Sequence, residues 1–313
     1  MNTIPVRVCG DAWFNIDEFR QQLNNSDISQ SVELDFQAEG PSMGAIGLVN
    51  ILDQHCKKTG RNPGSITVIN NPNIDESTPY KNITPGPSHF LKMSKNYWIN
   101  PLPLNDNCKK FGYFIGRRTV SRAKILYDLW HNYQDQCLFS VMHSCSVPPW
   151  VQPSQGISLE TLVEWVDLSL QKNFSDWFAN CPVSSIDGHS DRDQYVKNPT
   201  TNLDLLQYYN QFAVEIVAET YTLGNTFFPT EKTIRPIMAA KPMLIYGPKN
   251  FLARLRQLGF KTYESCWDES YDQLEGPARW QAMQLILSQI KFSSCAHDIA
   301  LYNRETLAKI IQL

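Results

Sequence analysis

The chain has 313 residues, a formal net charge of −3, 42% hydrophobic residues and 19% charged ones. That balance belongs to a folded globular protein long enough for two domains, and it excludes a disordered chain. It also excludes a global basic field that would gather nucleic acid or anionic membrane, while leaving room for a local basic groove.

No apolar run approaches the ~20 residues of a membrane helix, so no membrane span is expected. The opening "MNTIPVRVCGDAWF" goes straight into a strand-like pattern rather than a secretory leader. Cys9, Cys56, Cys108, Cys137, Cys145, Cys181, Cys266 and Cys295 form no C-x-x-C pair. Reduced thiols in a cytoplasmic setting are therefore expected, with neither a zinc site nor a disulfide framework.

In chain order, "IPVRVCG" reads as a strand, "NIDEFRQQL" as a helix and "SVELDFQAEG" as a strand ending at Gly40-Pro41. The amphipathic "GAIGLVNILDQHCKKTG" is a helix stopped by Gly60, and "SITVINNPN" is a further strand closed by an Asn/Pro turn. Residues 72–108 are rich in Pro, Asn and Ser and read as loop. From Lys110 the alternation restarts with strand "FGYFIG", helix "TVSRAKILYDLW" and strand "CLFSVM". A polar stretch near 179–203 precedes strand "VEIVAET", a helix opening at "PTEKT" and strand "PMLIYG". Helix "NFLARLRQLG", strand-like "FKTY" and helices "ARWQAMQLILSQI" and "RETLAKIIQL" complete the order. Strand and helix alternating at this spacing predict an α/β protein with parallel sheets. The expected division is residues 1–105 and 106–313, two Rossmann-like domains facing each other across a cleft, with ligands beyond the strands' carboxyl ends.

Four constellations carry candidate chemistry. After strand "FGYFIG", Arg117 and Arg118 sit in the turn and Arg122 in the first helical turn. A helix N-terminus with guanidinium groups suits a diphosphate, although three surface arginines are the plainer account. Glu219 ends strand "VEIVAET", and Thr230, Glu231 and Lys232 open the next helix. Capping accounts for Thr230 and Glu231 but not for Lys232, because a cation in the first turn opposes the helix dipole. Pro236 lies too deep in that helix for an ordinary proline. Glu39, at a strand's carboxyl end before a Gly-Pro turn, is the candidate general base, while a solvated strand-end carboxylate is the alternative. Asp191 and Asp193 form a D-x-D near His189, a pair type that holds divalent ions, but no apolar strand leads into it. "WDESYD" reads as a structural acidic loop. The P-loop and the dinucleotide fingerprint are absent from the sequence.

"VEIVAET…PTEKTIRPIMAAKPMLIYG" resembles the donor-binding half of fucosyltransferase (family 10)-like glycosyltransferases of the GT-B type. Those enzymes end an apolar strand in a glutamate, matched by Glu219, and start a helix with T-E-K, matched by Thr230, Glu231 and Lys232. "FGYFIGRRTVSRAKILYDL" is similar to the first strand and helix of that domain, with Arg122 at the place of the family's phosphate-binding arginine. "GPKNFLARLRQLGFKTYESCWDESYD" is similar to a bacterial and phage branch, in which "AEGPS" around Glu39 also aligns. The departure is Thr220, where fucosyltransferases carry Asn, so fucose is not assumed.

The resemblance implies two Rossmann-like domains and an inverting, metal-independent glycosyltransferase with no cofactor beyond its nucleotide-sugar donor. Arg117, Arg118, Arg122 and Lys232 would neutralise the donor phosphates, Glu219, Thr230 and Glu231 would take its hydroxyls, and Glu39 would be the base. The acceptor is a hydroxyl compound, a saccharide or lipid-linked glycan ahead of hydroxymethylated DNA. A metal-dependent transferase using Asp191 and Asp193, and a catalytically silent sugar- or nucleotide-binding module, are the other readings.

Overall fold

The computed structural model of the chain describes residues 2–6, 8–9, 13–36, 43, 46–69, 71, 79–83, 100–101, 103–116, 119–141, 164–167, 169–184, 186, 203–222, 224, 226–290 and 294–311. It is an α/β protein built on two four-stranded parallel sheets.

The first sheet comprises β1 (Asn2–Pro5), β4 (Val32–Asp35), β5 (Ile66–Ile69) and β6 (Lys81–Ile83), side by side in chain order. A short antiparallel pair, β2 (Val8–Cys9) with β3 (Trp13–Phe14), precedes helix α1 (Ile16–Asn25), and helix α2 (Leu48–Thr59) follows β4. In β4 and β5 the sealed positions alternate: Val32, Leu34, Ile66 and Val68 meet Phe19 and Leu23 of α1 and Leu48 and Leu52 of α2. That period of two marks strands burying one face more deeply than the other. Helix α2 stops at Gly60, whose φ of 76° is the left-handed conformation that glycine adopts cheaply at a helix end.

The second sheet comprises β7 (Lys109–Ile115), β8 (Cys137–Val141), β9 (Phe212–Ala218) and β10 (Met243–Tyr246). Its helices are α3 (Val120–Tyr133), α4 (Gln171–Ala179), α5 (Glu231–Met238), α6 (Phe251–Gln257), α7 (Gly276–Gln289) and α8 (Ser294–Ile310). All seven residues of β9 are buried, as expected of a central strand covered on both faces. Gly112 of β7 is required there, since a Cβ would stand 2.8 Å from the ring of Phe212.

The order across this sheet is β10-β9-β7-β8. The chain lays β8 on one side of β7, then returns to build β9 and β10 on the other. That reversal creates a topological switch point between β7 and β9, beyond whose carboxyl ends parallel α/β sheets place their ligands. The first sheet shows no such reversal among the described residues.

Several segments differ from the sequence expectation. "IPVRVCG" takes in the end of β1 and all of β2 rather than one strand, and β6 falls inside the stretch expected to be loop. "FKTY" joins no sheet; instead the Asn303 side chain accepts from Lys261 N at 2.7 Å and donates to Lys261 O at 2.8 Å. One amide side chain thus satisfies the backbone groups that a neighbouring strand would have met. The last helix begins at Ser294 rather than at Arg304. Asp272 of "WDESYD" is structural, because its carboxylate accepts the Leu252 and Ala253 amides at the start of α6. Arg279 backs it from a fully buried position, donating to Asp272 Oδ1 and to the carbonyls of Ile245, Pro248 and Leu274.

Candidate functional site

Glu219 follows β9 directly and is 1% exposed, and its backbone amide donates to Tyr246 O of β10. Its carboxylate is fully engaged by the chain. Oε1 accepts from Thr230 N at 3.1 Å and from the Thr233 hydroxyl. Oε2 accepts from Thr220 N at 3.1 Å and the Thr230 hydroxyl at 2.6 Å. A carboxylate offers about four lone-pair sites, and all are occupied here. Those four bonds make Glu219 a clamp that fixes the start of α5 against the end of β9.

Thr230 is likewise committed within the chain. Its hydroxyl donates to Glu219 and accepts from Lys232 N at 3.3 Å, which makes it the N-cap of α5.

Glu231 and Lys232 are different. They are 4% and 9% exposed and form an ion pair with Lys232 Nζ at 2.5 Å from Glu231 Oε1. Lys232 Nζ also donates to the Thr220 hydroxyl at 3.1 Å, leaving one of its three hydrogens without an acceptor among the described residues. Glu231 Oε2 is enclosed and has no hydrogen-bond partner among the described residues. A buried acceptor left unmet costs about 1–3 kcal/mol, more when charged, so an orphan of this kind calls for an explanation. Burial works to raise the Glu231 carboxyl, but Lys232 and Arg235 outweigh it and hold the group below its usual range. Desolvation draws the Lys232 ammonium below its usual value, Glu231 opposes that and Arg122 adds to it.

Arg122 comes from the neighbouring element of the switch point. Helix α3 is capped by Thr119, whose hydroxyl accepts the Arg122 amide at 3.4 Å. The Arg122 side chain, 3% exposed, crosses to β9 and donates through Nη2 to Glu219 O at 2.6 Å. Tyr113 of β7 secures the same residue by donating to Arg122 O at 3.0 Å. The ends of β7 and β9 and the starts of α3 and α5 thus bring Arg122, Glu219, Thr230, Glu231 and Lys232 together. Glu39, Arg117, Arg118, His189, Asp191 and Asp193 lie outside the described residues. Among the described residues no group of three or more His, Cys, Asp or Glu could hold a metal ion.

Pro236 now has a local reason. It stands three residues from the end of α5, where its missing N–H interrupts only one helical bond. Its carbonyl accepts Lys241 N at 2.8 Å, while Ala240 N donates to Ile237 O at 3.1 Å. These are the paired bonds of a Schellman helix end, with Ala240 at φ 49° in the place glycine usually fills.

A charged layer beneath the site was missed by sequence reasoning. Glu215, inside β9, accepts from Tyr209 Oη at 2.5 Å and lies 3.6 Å from Arg235 Nη2 on α5. Arg235 Nε reaches Tyr209 Oη at 3.2 Å, and Lys241 Nζ caps Phe212 O at 2.9 Å. Burial pushes the Glu215 carboxyl up to about 7 against the pull of Arg235 and Tyr209, and desolvation brings Lys241 down to about 8. The available signal was a single acid within the otherwise apolar "FAVEIVA". No family model and no curated protein matches the chain.

Proposed function

We propose that the chain is an inverting, metal-independent glycosyltransferase that moves a sugar from a nucleotide-sugar donor to a hydroxyl acceptor. On this reading it is a cytoplasmic protein with two Rossmann-like domains facing each other, residues 1–105 on the acceptor side and 106–313 holding the donor. The observation that carries it is the unmet Glu231 Oε2 beside Lys232, at the switch point between β7 and β9. A ligand presenting hydroxyls next to phosphate suits that pair, since carboxylates accept hydroxyl protons and ammonium groups take phosphate oxygens.

In the mechanism, Lys232 and Arg122 offset charge developing on the departing nucleoside diphosphate, aided by Arg117 and Arg118. Glu231 orients donor hydroxyls, Glu219 and Thr230 hold the start of α5, and Glu39 takes the acceptor proton. A saccharide or lipid-linked glycan is the preferred acceptor.

The test is a thermal-shift screen against a nucleotide-sugar panel, followed by nucleotide-release kinetics with saccharide acceptors. A ligand that binds only the folded state raises apparent stability. Lys232→Met, which retains an aliphatic stem, is expected to lose about 2–4 kcal/mol of transition-state stabilisation. Glu39→Gln should bind donor normally and lose turnover. Turnover unchanged in Lys232→Met would defeat the phosphate assignment. Donor binding without turnover in any acceptor assay would favour the silent binding module.

A further inference from the structure

Away from this site, Cys266 and Cys295 stand together on segments 29 residues apart in sequence. Cys266 Sγ donates to Cys295 Sγ at 3.1 Å, and Ser265 Oγ lies 3.2 Å from Cys295 Sγ and 3.7 Å from Cys266 Sγ. Both thiols are partly exposed, whereas Cys56 and Cys137 are buried. A cavity of about 600 Å³, lined by Phe260, Lys261, Thr262, Ser265, Cys295 and Asp298 among others, opens beside the pair. We propose that Cys266 and Cys295 are a redox-active dithiol that closes to an intramolecular disulfide by exchange with a small peptide disulfide entering this cavity.

Geometry and local charge assign the order of events. Cys295 is the second residue of α8, where unpaired amides and the helix dipole favour a negative sulfur. Hydrogen bonds from Ser265 first, and from Cys266, hold its thiol below the usual value. The Cys295 thiolate therefore attacks one sulfur of the oxidant, which expels its other half as a thiolate that takes up a proton. Cys266 then loses its proton and attacks Cys295 Sγ in the mixed disulfide, releasing the second half as a thiol. Two protein thiols give up two electrons and two protons, and the oxidant disulfide becomes two thiols. The two sulfurs already touch, so closure needs a shift of only about 1 Å toward the disulfide bond length of about 2.05 Å. Lys261 and Asp298 at the cavity wall offer both signs of charge to a zwitterionic peptide.

Closure would tie the segment after Phe260 to the first turn of α8. Asn303 already tethers that segment further along the same helix, and Arg304 joins α8 to α5 by donating to Met238 O at 2.9 Å.

The test equilibrates reduced protein anaerobically in buffers of rising oxidised-to-reduced glutathione ratio, then alkylates remaining thiols and maps peptides by mass. The expected result is simultaneous loss of two thiols and a Cys266–Cys295 cross-linked peptide. Cys266→Ser should instead trap Cys295 as a glutathione adduct, and Cys295→Ser should leave Cys266 largely alkylatable. Retention of both thiols in fully oxidised buffer, or a cross-link between other cysteines, overturns the proposal. Glutathione capture at Cys266 in Cys295→Ser as fast as at Cys295 in Cys266→Ser refutes the assigned nucleophile.

Discussion

Replacing Glu219 by Gln tests the clamp directly, because the change removes charge and one acceptor while keeping the shape. Each carboxylate oxygen receives one backbone amide and one hydroxyl: Thr230 N and the Thr233 hydroxyl on Oε1, Thr220 N and the Thr230 hydroxyl on Oε2. A threonine hydroxyl turns to accept from a new NH2 group, but a backbone N–H does not. Whichever way the amide is placed, one donor faces another. One charge-assisted bond, worth about 1.5–3 kcal/mol, is lost outright, and the stranded amide adds a desolvation penalty. The expected destabilisation is about 3 kcal/mol, from that bond and its stranded donor. Urea unfolding followed by far-UV circular dichroism, extrapolated linearly to water, measures it. A variant within about 0.5 kcal/mol of the parent, the range of ordinary surface substitutions, would show that Glu219 does not hold the site together.

Two further outcomes follow from the layer beneath the site and from the end of α5. Glu215 rises from 4.5 to about 7 on folding, so the folded chain retains a proton that the unfolded chain releases. Its stabilising contribution is complete below pH 4.5 and is lost as pH rises through about 7, with a ceiling of about 3 kcal/mol. Unfolding titrations between pH 5 and 7.5, below the Lys241 range near 8, should show this fall in the parent and not in Glu215→Gln; an equal slope in both would refute it. Ala240, at φ 49°, occupies a left-handed position that costs an L-residue about 1 kcal/mol or more. Ala240→Gly should raise the melting temperature by about 2–4 °C, and a drop would mean the buried methyl group outweighs the strain.

The alternation of strands and helices was readable because each element carries its own period, and the N-cap at Thr230 because capping is local. What lay hidden was non-local. Nothing near Glu219 in sequence announces that its acceptors are spent on Thr230 and Thr233, 11 and 14 residues on. Arg122 meets a carbonyl 97 residues away, and a side chain reading backbone leaves no pattern in its own segment. "FKTY" has strand composition, yet its partner is the side chain of Asn303, 42 residues later, a substitution that periodicity does not detect. Glu215 was hidden by its neighbours, since an apolar run of this length reads as core and says nothing of a charge that Tyr209 and Arg235 satisfy.

Lys232 is the residue of the cluster that a purely structural account explains least. A buried ion pair gains little over apolar packing, so stability alone is a poor reason to place a cation where the helix dipole opposes it. Glu219 and Thr230 fit the structural account, for their valences are closed within the chain. Glu231 and Lys232 do not, because among the described residues each keeps one valence unspent, an enclosed acceptor on Oε2 and a hydrogen on a part-buried Nζ. Among the described residues that unmet acceptor and spare hydrogen lie side by side, next to a Glu219 carboxylate that the chain satisfies four times over.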